Sequence, residues 1–299
     1  MSGHSMSSTK TLENRWPREI SRMSNLTLFD SYLQSWNAHP DGEPFATHAG
    51  HLLPVRLDGH PDGRAGMIKI ARHIDEQVGG QVMRWWDGDG AARVYALDEN
   101  AGVLLMERAT GMGHLLKMAQ EGDDDAATSI VCRTIGRLHA KRPLPPPKGL
   151  LPLTCFFESL APMARREGGL MAECAVVADE LLGSQREHVV LHGDAHHSNI
   201  LDFGARGWLA IDPKRVTGER CYDYVNVLCN PDLKTCTDPS RFAQQVDIVV
   251  NVAGLERQRL LQWVMAHAAL SAAWFLEDGE RDEADNELAV AAIARQALG

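Results

Sequence analysis

Several things are missing from this 299-residue chain, and each absence narrows what it can be. No apolar run is long enough to span a bilayer, and the polar N-terminal stretch shows no apolar leader, so a cytoplasmic protein is expected. The six cysteines (Cys132, Cys155, Cys174, Cys221, Cys229 and Cys236) form no CxxC pair and are too sparse for a disulfide scaffold. Positive charge is in deficit: 30 Lys and Arg against 40 Asp and Glu leave a formal charge of −10. That argues against nucleic acid and against an anionic membrane surface, both of which need a basic face. It suits a small cationic partner, and no obligate protein partner is apparent. A GxGxxG phosphate loop is also absent. His192, His196 and His197 have no cysteine or fourth ligand at finger-like spacing, which argues against zinc.

The chain is organised around HVVLHGDAHHSNILDFGARGWLAID, from His188 to Asp212. Two apolar runs, Val189 to Leu191 and Ile200-Leu201, flank a polar turn that carries Asp194 and Asn199. A further strand-like run from Trp208 to Ile211 ends in Asp212, and Gly204 and Gly207 favour a tight hairpin between the last two runs. Two carboxylates and a carboxamide on converging backbones suit a divalent cation and a hydroxyl that must lose its proton. An Asp followed five positions later by Asn, then by an Asp after a hairpin, is the arrangement of a kinase catalytic loop and metal-binding Asp.

His-Gly-Asp (192–194) stands where protein kinases carry His-Arg-Asp, and Ile-Asp-Pro (211–213) where they carry Asp-Phe-Gly. In this form the stretch resembles the aminoglycoside phosphotransferases. The run LHGDAHHSNIL, RGWLAIDPK and GERCYDYVNVLCNP is similar to their streptomycin 6-phosphotransferase and hydroxyurea phosphotransferase group, and the resemblance extends from about His51 to Leu298.

Residues 1–25 are Ser-rich and weakly patterned. A short helix is expected over Leu26 to Trp36, then strands Leu52 to Leu57 and Met67 to Ile70 joined by a Gly-rich turn. Lys69 alternates with Ile68 and Ile70 and so faces away from both; the resemblance sets it against nucleotide phosphates. Glu76, in the first turn of a helix over Asp75 to Trp86, is either a favourable N-terminal charge or the partner of Lys69, and the resemblance favours the pair. Strands Ala92 to Leu97 and Gly102 to Met106 follow. The resemblance makes Met106 and the backbone near Glu107 and Ala109 a purine-binding hinge. Asp123 to Asp125 read as helix-start charges, Pro143 to Pro147 as a stiff linker, and Cys155 to Arg166 and Leu170 to Leu182 as helices. His192 is expected to brace its loop, and Asp223, by resemblance, supports the loop after the catalytic one. The final third is helical and ends in an acidic stretch. There Glu277 and Asp278, just past Trp274, are the candidate acids for a cationic acceptor.

The expected fold is α+β and protein-kinase-like: an N-terminal lobe over residues 1–108 containing a sheet, and a larger, mainly helical lobe over residues 109–299. By resemblance, ATP (or GTP) and Mg²⁺ are the cofactors, Asn199 and Asp212 the metal ligands, and Asp194 the catalytic carboxylate. The implied reaction is phosphorylation of an aminoglycoside, streptomycin at its 6-hydroxyl. The competing readings are a kinase for hydroxyurea or a metabolite hydroxyl, and a nucleotide-binding module without catalysis.

Overall fold

Alternation of side chains shapes the first third of the chain. The computed structural model describes residues 26–47, 50–59, 64–72 and 74–299. After a 3-10 turn, α1 (Asp30–Ser35) leads into β1 (Ala38–Pro40), β2 (Phe45–Ala46), β3 (Gly50–Leu57) and β4 (Arg64–Ala71). Helix α2 (Ile74–Trp86) follows, then β5 (Val94–Asp98) and β6 (Val103–Glu107). The strands form one antiparallel sheet in the order β1-β3-β4-β6-β5, with β2 paired to β3. On β6, Val103 and Leu105 join Leu53, Val55 and Ile68 in one buried cluster, whereas Leu104 and Met106 enter the main core. A period of two thus gives the sheet two buried faces, and Lys69 shares the second with Leu104, its register partner. Most of the Gly-rich turn between β3 and β4 lies at residues 60–63, outside the described residues, as do residues 1–25.

Beyond β6 the chain is mainly helical. Helices α3 (Leu115–Glu121) and α4 (Asp124–Leu138) precede β7 (Leu151–Pro152), α5 (Leu153–Phe156), α6 (Leu160–Glu167) and α7 (Gly169–Gly183). Four short strands follow: β8 (His188–Leu191), β9 (Ile200–Asp202), β10 (Trp208–Ala210) and β11 (Val216–Glu219). β9 and β10 make a hairpin, while β11 pairs antiparallel with β8 and parallel with β7. Then come α8 (Val225–Leu228), α9 (Leu233–Cys236), α10 (Pro239–Ala253), α11 (Arg257–Glu277) and α12 (Arg281–Leu298). Helix α11 is apolar almost all round and buried from Leu260 to Leu276 save for Gln262, so it forms the axis of this half. Among the described residues, no helix is long and apolar enough to cross a membrane.

Two expectations need correction. Cys155 to Arg166 is not one helix but α5 and α6, because Pro162 has no N–H to give Glu158 and a helix can tolerate it only in a first turn. The Asp123 to Asp125 triplet does more than begin α4. Asp124 accepts from Arg241 at 2.6 and 3.1 Å, and Asp125 from Gln244 and Gln245 at 2.6 and 2.8 Å, which docks α10 onto α4. The architecture is the expected one, a small sheet-bearing lobe and a larger helical lobe. The main core nevertheless runs without interruption from Val82 through Leu104 and Met106 to Ala294.

Candidate active site

The loop from His192 to Asn199 leaves the sheet after β8 and returns through β9, so its polar groups must be satisfied locally. Buried Asp223, in the 3-10 turn after β11, accepts from the backbone N–H groups of His192 at 2.8 Å and Gly193 at 2.7 Å. It also meets His139 at 2.7 Å. Asp223 therefore supports the Asp194 loop itself, not the loop after it. The buried His192 ring receives the Asp194 N–H on Nδ1 at 3.3 Å, which leaves Nε2 to donate to the Ile211 carbonyl at 2.8 Å. Burial lowers its pKa and favours this neutral form. His192 thereby ties the Asp194 loop to the strand end that delivers Asp212, and Trp86 of α2 stacks on its ring. Both Asp194 oxygens are held: Oδ1 accepts from Asn226 at 2.9 Å and Oδ2 from Asn199 at 3.3 Å. The Asn199 amide also donates to the Asp194 carbonyl at 2.9 Å.

The second cluster spans the lobes. Lys69 on β4 is buried, with Nζ 2.7 Å from Glu76 Oε2 and 2.8 Å from Asp212 Oδ1. Burial alone would lower the pKa of Lys69, but Asp212 and Glu76 outweigh it and hold the ammonium charged. Burial pushes Glu76 the other way, and Lys214 and Lys69 together keep its carboxyl below the usual range. Asp212 adopts φ 58°, a left-handed backbone that Asp tolerates better than most residues. Its Oδ1 is shut from solvent and receives no well-angled hydrogen bond despite the nearby ammonium.

Of the residues expected at the site, Asp194, Asn199, Asp212, Lys69 and Glu76 come together. Met106 lies at the end of β6 on the cleft side of the sheet. Glu107 accepts from Arg206, whose other nitrogen reaches the Gly88 carbonyl at 2.5 Å, so its carboxylate ties the end of β6 to the turn after α2. Ala109 packs on the main core just beyond. Glu277 and Asp278 stand apart. Both are exposed at the end of α11, where Glu277 accepts from Ser159 at 3.3 Å. Ten residues of helix separate Glu277 from His267, ~15 Å of rise, and it is His267 that meets Tyr222 and feels the charge of Asp194.

Three residues escaped sequence reasoning. Asn226 could be reached only through the tertiary fold. Lys214 was visible beside Asp212 but had no assigned partner. Glu287 sits one helical turn after Glu283 on α12, within the acidic stretch. Its Oε2 is sealed and unpartnered, and burial raises its pKa to about 7 against the opposing pull of Ser271. Ser271 is one turn beyond His267, so Glu287 meets α11 on the same face as His267.

Among the described residues no group of three His, Cys, Asp or Glu side chains is placed to hold a metal. Magnesium does not require one, since it keeps waters and phosphate oxygens as ligands beside one or two protein oxygens. Asp212, whose Oδ1 faces the Lys69 ammonium, and the side-chain carbonyl oxygen of Asn199, whose amide nitrogen binds Asp194, are oxygen donors of the kind such a hard cation takes.

Comparisons with known proteins bear on the family and the fold. Residues 35–279 match the family described as aminoglycoside/hydroxyurea antibiotic resistance kinase. The chain is 47% identical over 273 residues to a streptomycin 3''-kinase from Klebsiella pneumoniae, covering 89% of this chain and 100% of that one. It is 29% identical over 271 residues to a streptomycin 6-kinase from Streptomyces griseus, covering 86% and 84%. A choline/ethanolamine kinase family protein from Mesorhizobium loti has the same fold, with a TM-score of 0.59 at 13% identity over 90% of this chain and 99% of that one. The chain belongs to the aminoglycoside/hydroxyurea antibiotic resistance kinase family.

Proposed function

We propose that this kinase transfers the γ-phosphoryl group of ATP to a hydroxyl of streptomycin, with Mg²⁺ as its metal. The observation that carries the reading is Asp194, held by two amides in the same cleft as the Lys69–Glu76 pair and Asp212. Lys69, steadied by Glu76, would contact phosphate oxygens, while Met106 and the backbone at Glu107 and Ala109 would border the purine. Asn199 and Asp212 would hold the magnesium, which neutralises phosphate charge when bound. Asp194 would accept or orient the proton of the acceptor hydroxyl. Its two amide partners fix the carboxylate's direction, and positioning of this kind accounts for much of phosphoryl-transfer catalysis. The unpaired cysteines suit a reducing cytoplasm, where ATP is available.

Streptomycin carries guanidinium groups, and burying them requires matching carboxylates. Glu277 and Asp278 are exposed. Glu287 is the better supported acid, because its sealed oxygen lacks a partner. The resemblance in the catalytic stretch pointed to the 6-hydroxyl. The 47% relative is named for the 3'' position, against 29% for the 6-kinase, so the 3''-hydroxyl is the favoured acceptor.

The test is ADP release with Mg²⁺-ATP against streptomycin, hydroxyurea and small alcohols, with the phosphorylated oxygen identified by NMR. We expect streptomycin-dependent turnover that places phosphate at 3'', and a ~10²–10⁴-fold lower kcat for Asp194→Ala with nucleotide binding retained. Phosphate at the 6-oxygen would restore the other regiochemistry. Turnover with hydroxyurea alone would remove streptomycin from the reading.

A further inference from the structure

Glu76 is engaged on both sides. Its Oε2 takes Lys69 from β4, and its Oε1 takes Lys214 at 2.6 Å from the segment after Asp212. Lys214 belongs to the large lobe, where its backbone N–H donates to the His192 carbonyl at 2.7 Å. Its Nζ also lies 3.9 Å from Asp194 Oδ2. One ammonium thus joins the carboxylate that orients Lys69 to the carboxylate at the reaction centre. A second contact lies along the same joint. A Cβ built on Gly79, one turn further along α2, would fall 2.2 Å from the Pro213 carbonyl oxygen, so the helix backbone rides directly on this loop.

We propose that Lys214 is a positioning residue that latches α2 onto the Asp194 loop, so that the nucleotide lysine and the acceptor-activating carboxylate are aligned as one unit. The proposal rests on the kinase reading and adds a residue to it. Without the latch, Glu76 keeps only Lys69, and α2 is free to draw away from the large lobe. Lys69 then loses its fixed direction, and Asp194 loses the cation beside it. An ångström of misplacement costs on the order of 10²-fold in rate. A Lys214 that merely stabilised the fold would change the melting temperature and leave kcat alone, since a folded molecule would still be assembled correctly.

The experiment compares the parent with Lys214→Met by three readouts: kcat, the affinity for a non-hydrolysable ATP analogue with Mg²⁺, and hydrogen exchange of residues 76–86 without ligand. We expect kcat to fall ~10²-fold and the α2 amides to lose protection, with analogue affinity changed only several-fold. Lys214→Arg, which keeps a cation within reach of Glu76, should recover part of both losses. A kcat within threefold of the parent overturns the proposal. So does a lower kcat with α2 protection unchanged, which would make Lys214 act on the reactants directly. If Lys214→Met does not fold, Gly79→Ala tests the same joint by pushing α2 off Pro213 while Lys214 remains. The same pair of losses is expected there, and parental values of both overturn the latch. A parent that neither binds the analogue nor turns over any acceptor would instead reject the kinase reading.

Discussion

At the scale of single residues, the site depends on carboxylates whose partners differ. Asp194, Glu76 and Asp212 are each held by a named donor or cation, whereas Glu287 has a sealed oxygen with none. Burial raises the Glu287 pKa to about 7 from its ordinary 4.5, so across that interval the folded protein holds a proton that the unfolded chain releases. Stability is therefore lost as pH climbs from 4.5 to 7, and the full cost persists above 7. Glu287→Gln removes this cost. The variant should be more stable than the parent at pH 8, by on the order of 1–3 kcal/mol, and nearly equal to it at pH 4.5. Its KM for a guanidinium-bearing acceptor should rise at the same time, a trade of function against stability. Thermal melts at the two pH values check the first part. An equal difference at both would mean that the carboxyl is not buried in the way described.

At the scale of elements, the strap from β6 into α3 is held by the β9–β10 hairpin. Gly111 N–H donates to the Asp202 carbonyl and Gly113 N–H to the Asp202 carboxylate, each at 3.0 Å. A Cβ on Gly111 would come within 2.0 Å of that carboxylate, so only glycine allows this approach. Gly111→Ala should cost roughly 1–3 kcal/mol through the broken contacts and weaken nucleotide binding, since the strap follows the proposed hinge. Gly136 gives the opposite sign. It is exposed inside α4, and its nearest neighbour is the Tyr224 hydroxyl, 3.8 Å from a built Cβ. Gly136→Ala should therefore stabilise by about 0.5–1 kcal/mol. Urea unfolding of both variants checks the pair, and a shift of the same sign in each would contradict the argument.

At the scale of the whole molecule, two lobes share one core. The main cluster includes Val82, Met83, Trp86, Leu104 and Met106 from the small lobe together with α11 and α12. Lys214–Glu76 and Glu107–Arg206 add polar ties across the same junction. Cooperative unfolding follows when the apolar contacts of one part are completed by the other. We expect a single calorimetric transition with matching calorimetric and van't Hoff enthalpies. Two separated transitions would mean that residues 1–108 and 109–299 are thermodynamic units despite the common core.

The catalytic stretch was legible because its chemistry is local. The five-residue spacing of Asp194 and Asn199, and the hairpin that brings up Asp212, lie within twenty residues, so backbone geometry fixes their relation whatever surrounds them. Lys69 was legible for a similar reason, since strand alternation gave its face and Glu76 lay seven positions on. The proposed acceptor acids were not. Glu277, Asp278 and Glu287 all lie in one acidic run, and which of them is sealed from water depends on how α12 packs against α11. Asn226 and Lys214 are ordinary polar residues until α8 and the loop before β11 carry them to Asp194 and Glu76. By itself the sequence determined the class of fold and the candidate phosphoryl-transfer constellation, because periodicity and short spacings act within one segment. Only the tertiary structure decided which charges are buried and which meet, because desolvation and ion pairing depend on neighbours that come from distant parts of the chain.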